Sequence, residues 1–288
     1  MPPGVRTGHE RSAGPTQASS CRSTSCARNL MKTADFLIVT ERGGEPVTAA
    51  QRDRFYQRYL WAGDLCAGKD VLEMACGTGP GLGYLKARSR SLVAGDVAEP
   101  VIALARRHYG ERIDLRQFDA TATGLAGESF DVVLLFEAIY YFADVDRLLA
   151  EVRRLLRPGG LFLLATANKD LLDFNPSPFS HDYYNPPELQ DLAGRHGFSC
   201  SFFGGSPVPA AGFKTRLIRS LKRVAVSFNL IPGSMAGKRL LKRLVFGSLV
   251  QMPVELNAAD ARLEPPVPIP AGQPDTTHLV LYCLAKKM

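Results

Sequence analysis

The stretch VLEMACGTGPGLGYL, residues 71–85, decides how this 288-residue chain folds. An apolar run that contains Glu73 leads into three glycines at alternate positions, Gly77, Gly79 and Gly81. Glycine adopts positive φ angles without strain and lets the backbone approach a ligand closely. The spacing therefore predicts a tight turn between a strand and a helix, and this turn would form one wall of a ligand pocket.

Strand-like and helix-like segments alternate on both sides of this turn. A helix at 48–61, with Thr48 as its N-cap, precedes it, and a later helix at 146–156 is stopped by RPGG at 157–160. Short apolar runs predict strands at 71–75, 92–95, 114–118, 130–136, 161–166, 198–203 and 278–284. Such alternation is typical of a doubly wound α/β fold, whose mostly parallel sheet carries helices on both faces.

The residues around the turn exclude two common ligands. A dinucleotide fingerprint requires glycine at position 82, where this chain has Leu82, and the Gly-Lys-Ser/Thr sequence of a phosphate-binding loop is absent. Four carboxylates lie at or just after the ends of the first four strands: Glu73, Asp96, Asp119 and Glu137. Strand ends converge on the ligand crevice of such a sheet. Carboxylates there would repel a pyrophosphate and favour S-adenosylmethionine, which carries a sulfonium, an ammonium, a ribose diol and an amine.

Five segments closely resemble, in this order, class I S-adenosylmethionine-dependent methyltransferases of the type 11-like, small-molecule or glycan branch. They are VLEMACGTGPG, VAGDVAEPVIALAR, FDA, FDVVLLFEAIYYF and LRPGGLFLLATANK. The resemblance covers residues 50–205 and the strand near 280. It implies a Rossmann-like, seven-stranded sheet with its last strand antiparallel, S-adenosyl-L-methionine as the cofactor, and methyl transfer as the activity.

The resemblance also implies roles for individual residues. Gly77 and Gly79 would turn the backbone beneath the methionine part of the cofactor, and Glu73 would orient its ammonium group. Asp96 would accept hydrogen bonds from the ribose hydroxyls, and Asp119 from the adenine amine. The resemblance places further residues around the cofactor: Tyr59, Ala75, Cys76, Val97, Ala120 and Phe136.

The acceptor side offers two candidates for a general base. His181 lies in SPFSHDYYN after the fifth strand, where it could either remove a hydroxyl proton or order its loop. Glu137 is the second candidate, on the floor of the pocket near the transferred methyl group. The NPPEL sequence at 185–189 lies in the wrong place for a nucleobase amino-methylation motif. No metal site is expected.

The net charge of +7 is concentrated in one region. Ten Lys and Arg residues and no acidic residue lie between 192 and 254. Basic helices are predicted at 214–228 and 235–250, inside a helical insertion or lid at 206–274. Three interpretations stay open: a solvated lid, attraction of an anionic acceptor, or peripheral contact with a membrane through 214–250. RNA binding is disfavoured because no platform of stacking aromatics accompanies the charges.

The composition of the N-terminal segment, the apolar runs and the cysteine spacing predict the domain organisation and the cellular location. Residues 1–30 are rich in Ser, Arg, Gly and Pro, and predict a disordered tail or an upstream extension before a start at Met31. The methyltransferase core would then comprise 31–205 and 275–288. No apolar run reaches the roughly 18 residues of a membrane span, and the six cysteines lack C-x-x-C spacing. We therefore expect a cytoplasmic protein with reduced thiols, with peripheral membrane contact as the alternative.

Two functional hypotheses follow. The first is an S-adenosylmethionine-dependent methyltransferase that acts, most readily at oxygen, on a small-molecule, sugar or lipid-linked acceptor. The second is a catalytically silent cofactor-binding protein of the same fold, and an RNA methyltransferase ranks behind both. The complete set of cofactor motifs favours the active enzyme.

Overall fold

A mostly parallel sheet of eight strands organises the part of the chain that the computed structural model describes, residues 40–177, 179–208, 249–257, 259 and 263–288. In chain order the elements are β1 (Pro46–Thr48), α1 (Ala49–Leu65), β2 (Asp70–Met74), α2 (Leu82–Lys86), β3 (Ser91–Asp96), α3 (Glu99–Tyr109), β4 (Asp114–Gln117), β5 (Phe130–Phe136), α4 (Val145–Leu155), β6 (Leu156–Ala167), α5 (Pro186–Arg195), β7 (Phe198–Pro207), β8 (Leu249–Gln251), β9 (Val267–Ile269) and β10 (His278–Lys287).

The strand order is β4-β3-β2-β5-β6-β10-β7-β9. Strands β2 to β6 are parallel to one another, whereas β10 is antiparallel to both β6 and β7. The predicted doubly wound, mostly parallel sheet with an antiparallel last strand is thus confirmed. The eighth strand, β9, was not predicted, because it lies in the proline-rich EPPVPIP sequence. Its position at the sheet edge, paired only with β7, is where a strand tolerates proline.

Helices cover both faces of the sheet, as the continuous apolar strands required. One face packs against α1 and α3 through residues such as Leu60 and Ile102. The other packs against α4 and α5 through residues such as Leu148 and Leu189. Side chains in both clusters are almost completely removed from water, so the sheet is a rigid platform for whatever its strand ends carry.

The local chemistry of α1 explains where that helix begins. The Thr48 hydroxyl accepts a hydrogen bond from the Gln51 amide, and the Gln51 side chain accepts one from the Thr48 amide. This reciprocal pair is a capping box, which satisfies two amides that the first helical turn leaves without partners. The N-cap prediction is correct, and the helix runs four residues further than predicted, to Leu65.

Two predicted boundaries are wrong. The helix predicted at 146–156 does end before RPGG, at Leu155, but the strand predicted at 161–166 begins earlier, because RPGG is part of β6, with Gly159 at φ 74° and a register shift opposite Phe130 and Val132. In the insertion, the last two residues of the helix predicted at 235–250 belong to β8, which pairs with β1. The rest of that helix, the helix predicted at 214–228 and residues 1–30 lie outside the described residues.

Candidate cofactor and acceptor site

The glycine turn connects β2 to α2 at the carboxyl edge of the sheet, as the sequence predicts. Gly77 and Gly79 have φ angles of 60° and 74°, which glycine adopts without strain. A Cβ atom on Gly77 would lie 2.8 Å from the Thr40 methyl group. Gly81 has an ordinary helical φ angle of −90°, but a Cβ atom there would collide with the Tyr59 ring. The third glycine therefore allows α1 to pack closely on the turn.

Two positions before Gly77, a residue other than glycine has a positive φ angle. Ala75 has a φ angle of 52°, in the left-handed region that costs a residue with a Cβ atom roughly 1–2 kcal/mol. The strain is held by the sheet: Met74 pairs with Gly95, and the Cys76 amide donates to the Gly95 carbonyl at 3.0 Å. The backbone of the turn is thus fixed against β3.

Glu73 lies in β2 beneath this turn and is only 2% exposed. The Tyr59 hydroxyl donates a hydrogen bond of 2.6 Å to Oε1 of Glu73. The other oxygen, Oε2, is buried and has no hydrogen-bond partner among the described residues. Burial raises the pKa of Glu73 to about 7, although the Tyr59 hydroxyl and the Arg58 guanidinium both act to lower it. Burial outweighs these two influences, because Oε2 has no donor or cation beside it within the described residues.

Asp96 ends β3 and is held in one orientation by backbone amides. Its Oδ2 accepts from the Gly77 amide and its Oδ1 from the Ala98 amide, each at 3.0 Å. Burial raises the pKa of Asp96, while these amides and that of Val97 oppose the change. Each carboxylate oxygen still has a second lone pair, so Asp96 can bind a pair of ligand hydroxyls while it stabilises the glycine turn.

The other residues predicted at the cofactor pocket follow the same strand ends. Val97 is 48% exposed, whereas Ala120 is buried. Asp119 uses Oδ1 to accept from the amide and the hydroxyl of Thr121, at 2.8 and 2.9 Å. The buried ring of Phe136 meets the Tyr59 ring edge to face, with 5.4 Å between centroids. The Cys76 thiol is also buried, which raises its pKa well above its usual range and keeps it neutral.

Glu137 follows β5 and combines two unfavourable features. Its φ angle is 51°, and its side chain is mostly removed from water, which raises its pKa. Oε2 accepts from the Tyr140 hydroxyl at 3.1 Å, and Oε1 lies 3.6 Å from an Arg58 nitrogen. A strained backbone and a carboxylate mostly removed from water at the same position mark Glu137 as a candidate functional residue.

Arg58 connects the acceptor side to the chain segment that precedes α1. It is 3% exposed and forms ion pairs with Glu41 and Glu137, and together these carboxylates more than offset the effect of burial on its pKa. The motifs in the sequence did not identify Arg58. The sequence did contain one signal for Arg58: it lies three residues before Trp61 in the predicted helix, and residues three apart share a helix face.

His181, the other predicted base, is connected to Glu137 through Tyr140, which contacts both residues. Its backbone amide donates to the Tyr140 carbonyl at 2.7 Å, and its ring is half-buried. Within the described residues, no hydrogen bond joins the His181 ring to another predicted site residue. The nearby rings pack on one another, with Tyr140 stacked on Tyr183 at a centroid distance of 4.4 Å.

Two segments that are distant in sequence cover the glycine turn. The Thr78 hydroxyl donates to the Glu41 carbonyl at 3.2 Å, and the Leu256 amide donates to the Pro80 carbonyl at 2.7 Å. Glu255 binds His108 and Arg112 of the neighbouring helix and turn, which fixes the second segment.

Within the described residues, no helix is long and apolar enough to cross a membrane.

The pocket fits S-adenosyl-L-methionine on three structural grounds. The glycine turn has no side chains of its own at positions 77, 79 and 81, and Asp96 has acceptor capacity for a diol. The buried, unpartnered Oε2 of Glu73 requires a cationic or hydrogen-donating group. The acidic residues come from neighbouring strands, so the fold itself brings them together.

Comparison with known proteins agrees with this chemistry. Residues 72–164 match the family of the methyltransferase domain Methyltransf_11. The chain is 35% identical over 139 residues to a probable S-adenosylmethionine-dependent methyltransferase of Mycolicibacterium smegmatis, which covers 46% of this chain and 53% of that protein. It is 36% identical over 107 residues to the ubiquinone biosynthesis O-methyltransferase of Sinorhizobium medicae, covering 36% and 43% respectively. The chain thus spans about half the length of the curated relatives it matches.

Solved structures with low sequence identity share the fold. A methyltransferase from Thermotoga maritima, described as a possible histamine N-methyltransferase, has a TM-score of 0.52 and 16% identity, and covers 83% of this chain and 92% of its own. The [4+2]-cyclase SpnF has a TM-score of 0.51 and 16% identity, with coverages of 86% and 85%. Residues 72–164 thus match a methyltransferase domain, and the relatives and the fold support a class I S-adenosylmethionine-dependent methyltransferase with S-adenosyl-L-methionine as its cofactor.

Proposed function

We propose that the protein transfers a methyl group from S-adenosyl-L-methionine to a hydroxyl oxygen of a small molecule. The observation that carries this proposal is the position of Glu137: a strained, mostly buried carboxylate beside the cofactor pocket. When bound, the cofactor supplies an electrophilic methyl group on a sulfonium. The chain must supply alignment, a dry site and a destination for the hydroxyl proton.

Glu137 is suited to accept that proton. Its raised pKa brings its proton affinity closer to neutral pH, where a general base is most effective. As the new carbon–oxygen bond forms and the bond from the methyl carbon to sulfur breaks, the acceptor proton passes to a Glu137 oxygen. The Tyr140 hydroxyl and Arg58 hold the carboxylate in place meanwhile.

Glu137 is preferred to His181 as the base. Glu137 lies directly after β5, and its amide is fixed to the Ala165 carbonyl of β6 at 2.8 Å. His181 lies in a loop and touches this region through its backbone. The name of the Sinorhizobium relative, an O-methyltransferase, also favours oxygen as the accepting atom.

The fold alone does not distinguish methyl transfer from other activities, because a cyclase shares it. The silent cofactor-binding protein therefore stays as the second hypothesis. Contact of residues 214–250 with a membrane also stays a prediction, since most of that segment lies outside the described residues.

Transfer of label from tritiated S-adenosyl-L-methionine into a metabolite extract tests the proposal. Wild-type protein should label a product whose mass exceeds that of its precursor by one methylene group, with the methyl group on oxygen. E137Q should label far less while it binds the cofactor normally. Cofactor binding without transfer to any extract component would instead support the silent binding protein.

A further inference from the structure

One stripe of α1 faces the acceptor side of the pocket. Arg54, Arg58 and Trp61 recur at helical spacing and therefore share a face. Trp61 packs against Tyr282 with 4.9 Å between ring centroids, and Arg58 pairs with Glu137. Arg54 is one turn closer to the start of α1, at the carboxyl edge of the sheet.

Arg54 differs from the other two because it has no partner within the described part of the chain. Among the described residues it makes no hydrogen bond or ion pair, although its side chain is half-buried. Burial and the like charge of Arg58 lower its pKa, and Glu137 and Glu41 oppose that change from a distance. A guanidinium that has lost part of its hydration without gaining a partner is unfavourable for the folded protein.

The neighbouring charges explain why Arg54 stays unpaired. Arg58 is one turn further along the helix and binds two of the three carboxylates that act on Arg54, namely Glu41 and Glu137. Arg52, on the exposed side of the same helix, is paired with Asp53 at 2.8 Å. Arg58 and Trp61 both contact groups of the sheet, so the helical spacing of Arg54 from these two residues places it on the same inner side of α1.

We propose that Arg54 binds an anionic group of the methyl acceptor, so that the acceptor is a hydroxyl compound bearing a carboxylate or a phosphate. The inference that the anionic molecule is the methyl acceptor rests on the proposed function, whereas the anion site itself rests on the position of Arg54 in α1. The planar guanidinium binds either anion through paired N–H donors.

The arrangement gives the acceptor two points of attachment. Arg54 holds the anion, and Glu137 receives the proton of the hydroxyl that is methylated. Arg58 pairs with Glu137, and this pairing leaves the Arg54 guanidinium available for the anion. An acceptor held at two points has a defined orientation, which an in-line displacement requires.

Binding of matched probes tests the site without turnover. Trp61 is the one tryptophan of the chain and lies on the same stripe, so its fluorescence reports on binding there. The probes are 3-hydroxybenzoate with its methyl ester, and glycerol 3-phosphate with glycerol. We expect at least one anion to bind saturably and at least tenfold more tightly than its neutral partner, and the pair that shows this preference identifies carboxylate or phosphate. Equal binding within both pairs, or no saturable binding of either anion, would overturn the proposal.

Variants separate recognition from folding. R54Q should lose the tenfold preference, R54K should keep part of it, and R52Q should keep all of it. R54Q should also melt at or above the wild-type temperature, because it removes an unpaired cation next to Arg58. Retention of the anion preference by R54Q, or a large drop in its melting temperature, would contradict the proposal. A normal anion preference in wild type without methyl transfer to any extract component would contradict the proposed function and leave the anion site intact.

Discussion

The Tyr59 hydroxyl donates a hydrogen bond of 2.6 Å to one oxygen of Glu73, while the other oxygen of that buried carboxyl has no partner among the described residues. The two residues come from different layers, α1 and β2, and meet beneath the glycine turn. Tyr59 therefore orients Glu73 but leaves its second oxygen for a ligand. We therefore expect a cationic group bound at this second oxygen to couple deprotonation of Glu73 to cofactor binding.

Cofactor binding should release protons near neutral pH. In the free protein, burial raises the pKa of Glu73 to about 7, whereas a bound cation favours its ionised form. The affinity should therefore rise as pH rises through this range, with release of about half a proton at pH 7. Calorimetry at pH 7 in buffers of different ionisation enthalpy measures this release.

Tyr59→Phe provides the control for that experiment. The Tyr59 hydrogen bond lowers the pKa of Glu73, so its removal should raise the pKa further, weaken binding at pH 7 and increase the number of protons released. An observed heat that is the same in every buffer would show that Glu73 does not change its protonation state.

Ala75→Gly should stabilise the protein. The φ angle of 52° strains alanine and not glycine, and the relief exceeds the extra entropy that glycine loses on folding. We expect a gain of about 1 kcal/mol in the free energy of unfolding, measured by denaturant titration. Ala150→Gly, at an exposed position inside α4, should instead lose about 1 kcal/mol. A loss at both positions would mean that the left-handed conformation of Ala75 is not a source of strain.

Glu137→Gln should lower kcat by about 10²–10⁴-fold, the usual contribution of a general base, with little change in cofactor affinity. In wild type, burial raises the pKa of Glu137, so the rate should rise with pH along a limb that lies above the ordinary pKa of 4.5. The variant should lack this limb. Initial rates across pH values measure both effects.

Glu128→Gln is the matched control for Glu137→Gln. Glu128 has nearly the same backbone conformation, with a φ angle of 50°, but it is exposed and pairs with Lys287 away from the pocket. Its substitution should leave the pH profile unchanged. An unchanged profile in Glu137→Gln as well would remove Glu137 from the reaction.

Local chemistry accounts for what the sequence could predict. The capping box of Thr48 and Gln51 spans four residues, and the glycine turn depends on φ angles that few residues tolerate. Asp96 was predictable because the end of a parallel strand is a ligand position whatever the surrounding packing. These features need no knowledge of distant contacts.

Features that depend on distant packing were not predictable. The Tyr59–Glu73 bond joins residues 14 apart in sequence, and the role of Arg58 depends on where Glu41 and Glu137 come to lie. Strand β9 escaped prediction because proline suits only an edge, and no local signal marks an edge strand. The lack of a partner for Arg54 among the described residues likewise follows from the pairing of Arg58 with Glu41 and Glu137 and of Arg52 with Asp53.

Calorimetric titration of Asp96→Ala with S-adenosyl-L-methionine tests the central claim, that the carboxyl edge around the glycine turn is the cofactor site. Asp96 accepts from the Gly77 amide and is the predicted acceptor for the ribose, so its removal should loosen the turn and lose the proposed ligand contact. The account predicts that wild-type protein binds and that the folded variant shows no detectable heat of binding. Equal affinity in the two proteins would contradict the assignment of the site.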